Sequence, residues 1–232
     1  MIKISLAGFG KMNKEVYAVI SSDSSVRVVS IVEPNPQKIE GVETFNEPQK
    51  AFELADVIID FSTKEACVEN MIKASEMDKN IIIGTTGMNY NDVKKIRDAI
   101  AKNKTSGVIA GNFSVGVNIF IETAKQLHEK LPGYEMEMIE VHHNQKKDAP
   151  SGTALRTLAA LGKTKEEVPV HCLRMGDVIG DHSVIFAGNS ERIELTHRAT
   201  SRKCFAQGAL MAAKWIVDKK DGVLHDFREV IK

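Results

Sequence analysis

Within the first 110 residues the chain alternates five times between a short β-rich run and a helix-patterned segment, and few folds accommodate that order. The runs lie at residues 2–6, 27–32, 57–62, 80–83 and 106–110. Helical patterning falls between them, with Val16, Val19 and Ile20 on one face of the first segment and further segments at 45–55, 64–77 and 91–102. Residues 57–62 read V-I-I-D-F-S, an apolar run suited to a parallel strand covered on both faces. The loops after the runs are rich in glycine, serine and threonine, and in parallel sheets ligands bind at those strand ends. The first part therefore reads as α/β, a Rossmann-like doubly wound parallel sheet.

Its first loop is Gly8-Phe9-Gly10-Lys11-Met12-Asn13. Strand, Gly-x-Gly turn, helix is the context in which a dinucleotide site is credible. The glycines let the backbone approach a pyrophosphate, and the helix start turns free N–H groups toward it. Asn13 stands where a third glycine is usual. Glu33 ends the second run, about 20 residues further on, where a carboxylate can accept from both ribose hydroxyls. Pro34 follows, where an arginine would suit a 2′-phosphate; Lys11 and Lys38 are the cations left to meet one. NADH is expected to be accepted, with NADPH as a further possibility. Gly84-Thr85-Thr86-Gly87, after a buried strand, is a further cofactor contact, although such a run can also be a simple tight turn.

After Ser114 the pattern changes. One long amphipathic helix is expected at 115–131, strands at 135–141, 168–174, 182–187 and 192–198, a helix at 153–161 and a last helix at 207–218. These describe a second α+β domain with an open mixed sheet, one face covered by helices. The expected division is 1–113 with 203–232 for the dinucleotide domain, and 114–202 for substrate binding and oligomerisation.

Bulk properties exclude several classes. Lys+Arg and Asp+Glu both number 31, so overall charge points neither to nucleic acid nor to an anionic membrane. No apolar run is long enough to span a bilayer and no signal peptide is read at the start. Three scattered cysteines, Cys67, Cys172 and Cys204, fit a reducing cytoplasm better than a disulfide framework.

Residues 140–153, E-V-H-H-N-Q-K-K-D-A-P-S-G-T, hold the densest set of titratable groups in the chain. A His-His pair alone is more often structural than catalytic. It lacks the H-E-x-x-H spacing of zinc enzymes, and no cysteine cluster completes a tetrahedral site, so no metal is expected. Adjacent residues on a strand face opposite ways, so His142 and His143 share a site only if the strand ends there. Asp148-Ala149-Pro150 is expected to shape the turn and cap the next helix. Glu140 reads as a structural partner rather than a base, and Lys147 as solvated.

This stretch resembles the signature E-[L/V/A]-H-H-x-x-K-x-D-A-P-S-G-T of the dihydrodipicolinate reductase family, here in its short-chain bacterial form, with every fixed position matched. Further matching blocks are Gly8–Met12, Asp60-Phe61-Ser62, Gly84–Gly87, Asn112–Asn118, Arg174–Asp177, Gly180–His182 and residues 193–199. The resemblance implies hydride transfer from NADH or NADPH to dihydrodipicolinate, giving tetrahydrodipicolinate in lysine (diaminopimelate) biosynthesis. It implies His142 as proton donor and Lys146 as charge partner of the substrate. His143, Lys146, Ser151, Gly152 and Thr153 would bind the dicarboxylate. Cofactor contacts would come from Gly8, Phe9, Gly10, Lys11, Met12, Glu33, Phe61, Gly84, Thr85, Thr86, Ala110, Gly111, Asn112 and Phe113. Arg202 and Phe205 are further candidates there, whereas His197 and Arg198 read as structural. A homotetramer joined through the open sheet is implied, as is closure of nicotinamide and loop on each other before hydride passes. Two other readings stand beside this one: a dinucleotide-binding redox sensor, and another two-domain NAD(P) dehydrogenase of the aspartate or homoserine type.

Overall fold

The computed structural model describes all residues, Met1–Lys232, and divides into two compact units, Met1–Phe113 with Phe205–Lys232, and Ser114–Cys204. The first unit runs β1 (Ile2–Ala7), α1 (Lys11–Ile20), β2 (Val26–Val32), β3 (Glu43–Phe45), α2 (Pro48–Glu53), β4 (Val57–Asp60), α3 (Lys64–Glu76), β5 (Asn80–Ile83), α4 (Tyr90–Asn103) and β6 (Gly107–Ile109). The second contains α5 (Val115–Lys130), β7 (Glu135–His142), α6 (Gly152–Ala160), β8 (Val170–Arg174), β9 (Gly180–Ala187) and β10 (Arg192–Ala199). The chain returns to the first unit through α7 (Lys203–Ile216), β11 (Leu224–Asp226) and α8 (Phe227–Val230).

The seven strands of the first unit form one parallel sheet in the order β11-β6-β5-β4-β1-β2-β3. Every residue of β4 and β5 is buried, as their apolar runs require of strands covered on both faces. Successive side chains feed opposite cores. Ile59 and Ile82 join Val16 and Ile20 of α1 and Ala209 and Ala213 of α7. Ile58, Ile81 and Ile83 join Phe52, Met71, Ile96 and Ile100 of α2, α3 and α4. Fully burying one such side chain is worth about 1.5–3 kcal/mol. Strand order reverses between β1 and β4, so the loops leaving these two strands flank the switch point where doubly wound sheets bind ligands.

Two differences from the sequence reading have local causes. The helix expected over 45–55 gives way to β3, which pairs with β2, followed by α2 starting at Pro48. Pro48 at the first turn lacks only an N–H that the helix would leave unpaired, so the helix begins there and frees Thr44 and Phe45 for the sheet. The last strand and helix were not anticipated. Pairing to β6 alone defines β11, and Asp226 with Glu229 forms a reciprocal cap on α8.

The second unit has a four-stranded mixed sheet in the order β10-β9-β7-β8, with β7 and β8 parallel and the other pairs antiparallel. Val117, Phe120, Ile121 and Ala124 of α5 and Ala154 of α6 pack with Met138, Val184 and Phe186 of the sheet. Along β9 buried and half-buried residues alternate strictly, so the sheet's other face carries Asp181, Ser183, Ile185 and Ala187 in a half-exposed row.

Candidate active site

Gly8 takes φ +80°, a conformation that side chains disfavour, and a Cβ there would stand 3.0 Å from the Ser62 Cα. Gly10 caps α1 without a side chain, and the first turn of α1 holds no acid, which leaves the helix start open to an anion. Asn13, which replaces the usual third glycine, is buried and donates through Nδ2 to the carbonyls of Ala7 (2.9 Å) and Gly8 (2.6 Å). It pins the turn that a glycine would merely permit. Glu33 accepts the Phe9 backbone N–H and borders a concave pocket of about 190 Å³ lined also by Lys14, Asn35, Ile39 and Thr44. Pocket, ribose-type carboxylate and uncapped helix end together fit a dinucleotide.

A second loop of the same unit is held by Asp60, a residue to which the sequence reading gave no role. Its buried carboxylate accepts from Ser62 N (2.9 Å), Ser62 Oγ (2.7 Å), Thr85 Oγ1 (2.7 Å) and Asn70 Nδ2 (3.3 Å). The Phe61 ring lies over Gly84, where an added Cβ would meet Cε1 at 2.0 Å, and it stands edge-on to Phe113. Ala110, Gly111 and Asn112 follow the end of β6 in the same sheet.

In the second unit the charged groups of residues 140–153 gather around one carboxylate. On β7 the buried positions are Met138, Glu140 and His142, so an acid and a histidine share the inward face. The register sets Glu140 opposite His182 of β9 and Cys172 of β8, and His142 beside Arg174. Glu140 Oε1 accepts from Arg174 Nη2 at 2.9 Å and from Ser151 N at 3.1 Å. Glu140 Oε2 lies 2.6 Å from His142 Nδ1 and 4.0 Å from His182 Nε2. The 2.6 Å contact is an ion-pair contact rather than an aligned hydrogen bond. Burial alone would raise the Glu140 carboxyl, but His142, Arg174 and Ser151 outweigh it and hold the group well below the usual carboxylate range. Burial, reinforced by His142, brings His182 down to about 4, so it is neutral near pH 7. Burial and the Glu140 charge push the Cys172 thiol up to about 11, which leaves it unreactive.

β7 ends at His142, and His143 starts the loop, outside strand alternation. Lys146 reaches Asp148 with Nζ 2.8 and 2.9 Å from the two carboxylate oxygens. The cap of α6 is Ser151 itself, whose Oγ accepts from Ala154 N (3.2 Å) and stands 3.1 Å from His182 Nε2. Asp148 therefore holds Lys146 instead of capping the helix, and its backbone carbonyl accepts from Arg174 (2.6 Å). Gly152 and Thr153 form the first turn of α6, and Lys147 is exposed.

Glu140, His142 and His182 offer three ligand atoms within 4.8 Å of one another. Ligand atoms around tetrahedral zinc, at bonds of 2.0–2.1 Å, stand about 3.3 Å apart. The Glu140–His142 contact of 2.6 Å is shorter than that, and Arg174 already pairs with the carboxylate.

A doubly wound dinucleotide-type unit and a sheet unit with a buried carboxylate–histidine cluster define a two-unit oxidoreductase of the nicotinamide class. Residues 2–113 match the family model described as dihydrodipicolinate reductase, N-terminus, and residues 116–231 match dihydrodipicolinate reductase, C-terminus. The chain belongs to the dihydrodipicolinate reductase family. It is 41% identical to the 4-hydroxy-tetrahydrodipicolinate reductase of Methanocaldococcus jannaschii, covering 98% of this chain and 96% of that one. It is 36% identical to the Methanococcus maripaludis protein of the same name, covering 98% of each. Its fold is similar to that of the dipicolinate-bound dihydrodipicolinate reductase from Paenisporosarcina sp. TG-14, with a TM-score of 0.85, 22% identity and 97% of each chain covered. An aspartate dehydrogenase from Thermotoga maritima shares the fold less closely, with a TM-score of 0.57 at 11% identity.

Proposed function

We propose that the chain is a 4-hydroxy-tetrahydrodipicolinate reductase, reducing dihydrodipicolinate to tetrahydrodipicolinate in lysine and diaminopimelate formation with NADH or NADPH. The observation that carries the proposal is the buried Glu140–His142 contact at the end of β7, beside Lys146 and the capped start of α6, within the region matching the family's C-terminal model.

When bound, the dinucleotide supplies the hydride. Gly8, Phe9, Gly10, Lys11 and Met12 would hold its pyrophosphate, Glu33 its ribose, and Phe61, Gly84, Thr85, Thr86 and the segment 110–113 the remainder. Lys146 faces the substrate's ring nitrogen or a carboxylate as a cation, and leaves Asp148 to do so. Gly152 and Thr153 would offer N–H and hydroxyl donors to a carboxylate at the start of α6, with His143 and Ser151, whose own N–H is held by Glu140, beside them. His142 would hand a proton to the ring carbon next to the one that is reduced. The sum is one hydride and one proton added across a carbon–carbon double bond, with His142 recharged from solvent.

The half-exposed row on the second sheet is the surface through which we propose a homotetramer forms, and we place the protein in the cytoplasm. No helix is long and apolar enough to cross a membrane. A steady-state assay with dihydrodipicolinate and either NADH or NADPH tests the function. Oxidation of at least one is expected, and inactivity with both overturns the reading.

A further inference from the structure

We propose that Glu140 is the positioning residue of the site: its carboxylate fixes the proton on His142 Nδ1 and ties that histidine to Arg174 and to the start of α6. The proposal rests on the functional reading above and goes beyond it to the residue that makes His142 a directed acid.

Glu140 is fully buried, yet ionised. Its two oxygens divide the surrounding groups. Oε1 is taken by two donors that cannot accept, the Ser151 backbone N–H and the Arg174 guanidinium. Oε2 is left to His142 Nδ1 at 2.6 Å. Two lone pairs at that separation would repel, so a proton sits on Nδ1. Nε2 is then the nitrogen from which a proton can leave the imidazolium, and the ring that remains is the Nδ1–H tautomer that Glu140 already holds. No ring turn or second proton movement is required. His182, edge-on to His142 with ring centroids 5.1 Å apart, is neutral and does not compete for the carboxylate.

The groups facing this carboxylate are His142 on its own strand, Cys172 and Arg174 on β8, His182 on β9 and Ser151 at α6, while the charges of His197 of β10 and Lys146 bear on His182. Arg174 is the sole permanent cation among those in contact. It lies 2.9 Å from the oxygen opposite His142, so it keeps the carboxylate ionised without occupying the histidine's position.

Glu140→Gln makes a specific prediction. Ser151 N–H and Arg174 both demand an acceptor, so the amide turns its oxygen to them and its NH₂ to His142 Nδ1. That inverts the tautomer and disfavours the imidazolium. The expected result is a kcat about 100-fold lower with KM changed less than about threefold. Nitrogen NMR of labelled histidine, with His142→Asn as assignment control, reads the tautomer directly. Wild-type neutral His142 should be Nδ1–H and the Glu140→Gln protein Nε2–H. A wild-type Nε2–H tautomer overturns the proposal even if the variant fails to fold. So does a folded Glu140→Gln protein with kcat within about threefold of wild type. A wild-type protein that leaves dihydrodipicolinate unreduced refutes the function alone, because the NMR result does not depend on substrate.

Discussion

Glu140 and His182 stand directly opposite each other on β7 and β9, both buried, with His182 Nε2 4.0 Å from Glu140 Oε2. Burial holds the imidazole near 4, against 6.5 for a free histidine. Between those values the unfolded chain binds a proton that the native protein does not, so stability rises with pH across that window. The contribution is complete above about pH 6.5 and lost as pH falls through about 4, amounting to roughly 3 kcal/mol. Glu140, also depressed, contributes above the ordinary carboxylate range and adds a further loss below it. Urea unfolding at about pH 7 and about pH 4.5 should show His182→Gln losing less stability on acidification than wild type. Equal losses would mean that His182 does not carry the effect.

His142 and Lys146 are assigned different parts of one reaction, so their alanine variants should separate. His142→Ala removes the proton donor and should lower kcat by about 10²–10³-fold with little change in KM. Lys146→Ala removes a cation that meets the dicarboxylate and should raise KM for the substrate about tenfold or more. Near-wild-type cofactor oxidation with dihydrodipicolinate by both variants would mean that the mechanism assigned to these two residues is wrong.

How much of this was legible in the sequence differs by element. β4 and β5 announced themselves because V-I-I-D and N-I-I-I must be covered on both faces. β3 and β11 did not, because three residues carry no period and only pairing with β2 and β6 defines them. The loop from Glu140 to Thr153 could be read from its residue types. Glu140's importance could have been taken from its i, i+2 relation to His142 on a strand with apolar Met138 on the same face. Arg174 and His182 lie more than 30 residues further along the chain, and only sheet register brings them to the carboxylate. Spacing along the chain holds no record of that. Asp60 was similarly hidden, since its four hydrogen bonds gather three separate segments.

Gly84 is occupied on its open side by the Phe61 ring, 2.0 Å from where a Cβ would stand. Gly84→Ala must displace Phe61, which is packed edge-on against Phe113. Overpacking of this kind costs about 1–3 kcal/mol. The displaced ring is also among the proposed cofactor contacts. Thermal unfolding should therefore show a lower midpoint, and fluorescence titration a weaker NADH affinity by about tenfold, a shift of about 1.4 kcal/mol. A variant with lower stability and unchanged NADH affinity would remove Phe61 from the cofactor contacts.

Glu33 should decide between the two dinucleotides. It ends β2, accepts the Phe9 N–H, and is followed by Pro34 rather than by a cation. A ribose diol gives this carboxylate two hydroxyl donors, whereas a 2′-phosphate brings a second anion to the same place. Lys14 lines the pocket and Lys11 opens α1, so some charge is available to offset that repulsion, which keeps NADPH binding measurable. Wild type should bind NADH more tightly than NADPH. Glu33→Gln keeps the shape but loses the charge, and should narrow the ratio of the two dissociation constants about tenfold, mainly by weakening NADH. Fluorescence titration with each cofactor measures both constants. Tighter binding of NADPH by wild type, or an unchanged ratio in the variant, would mean that the ribose end is read by other residues.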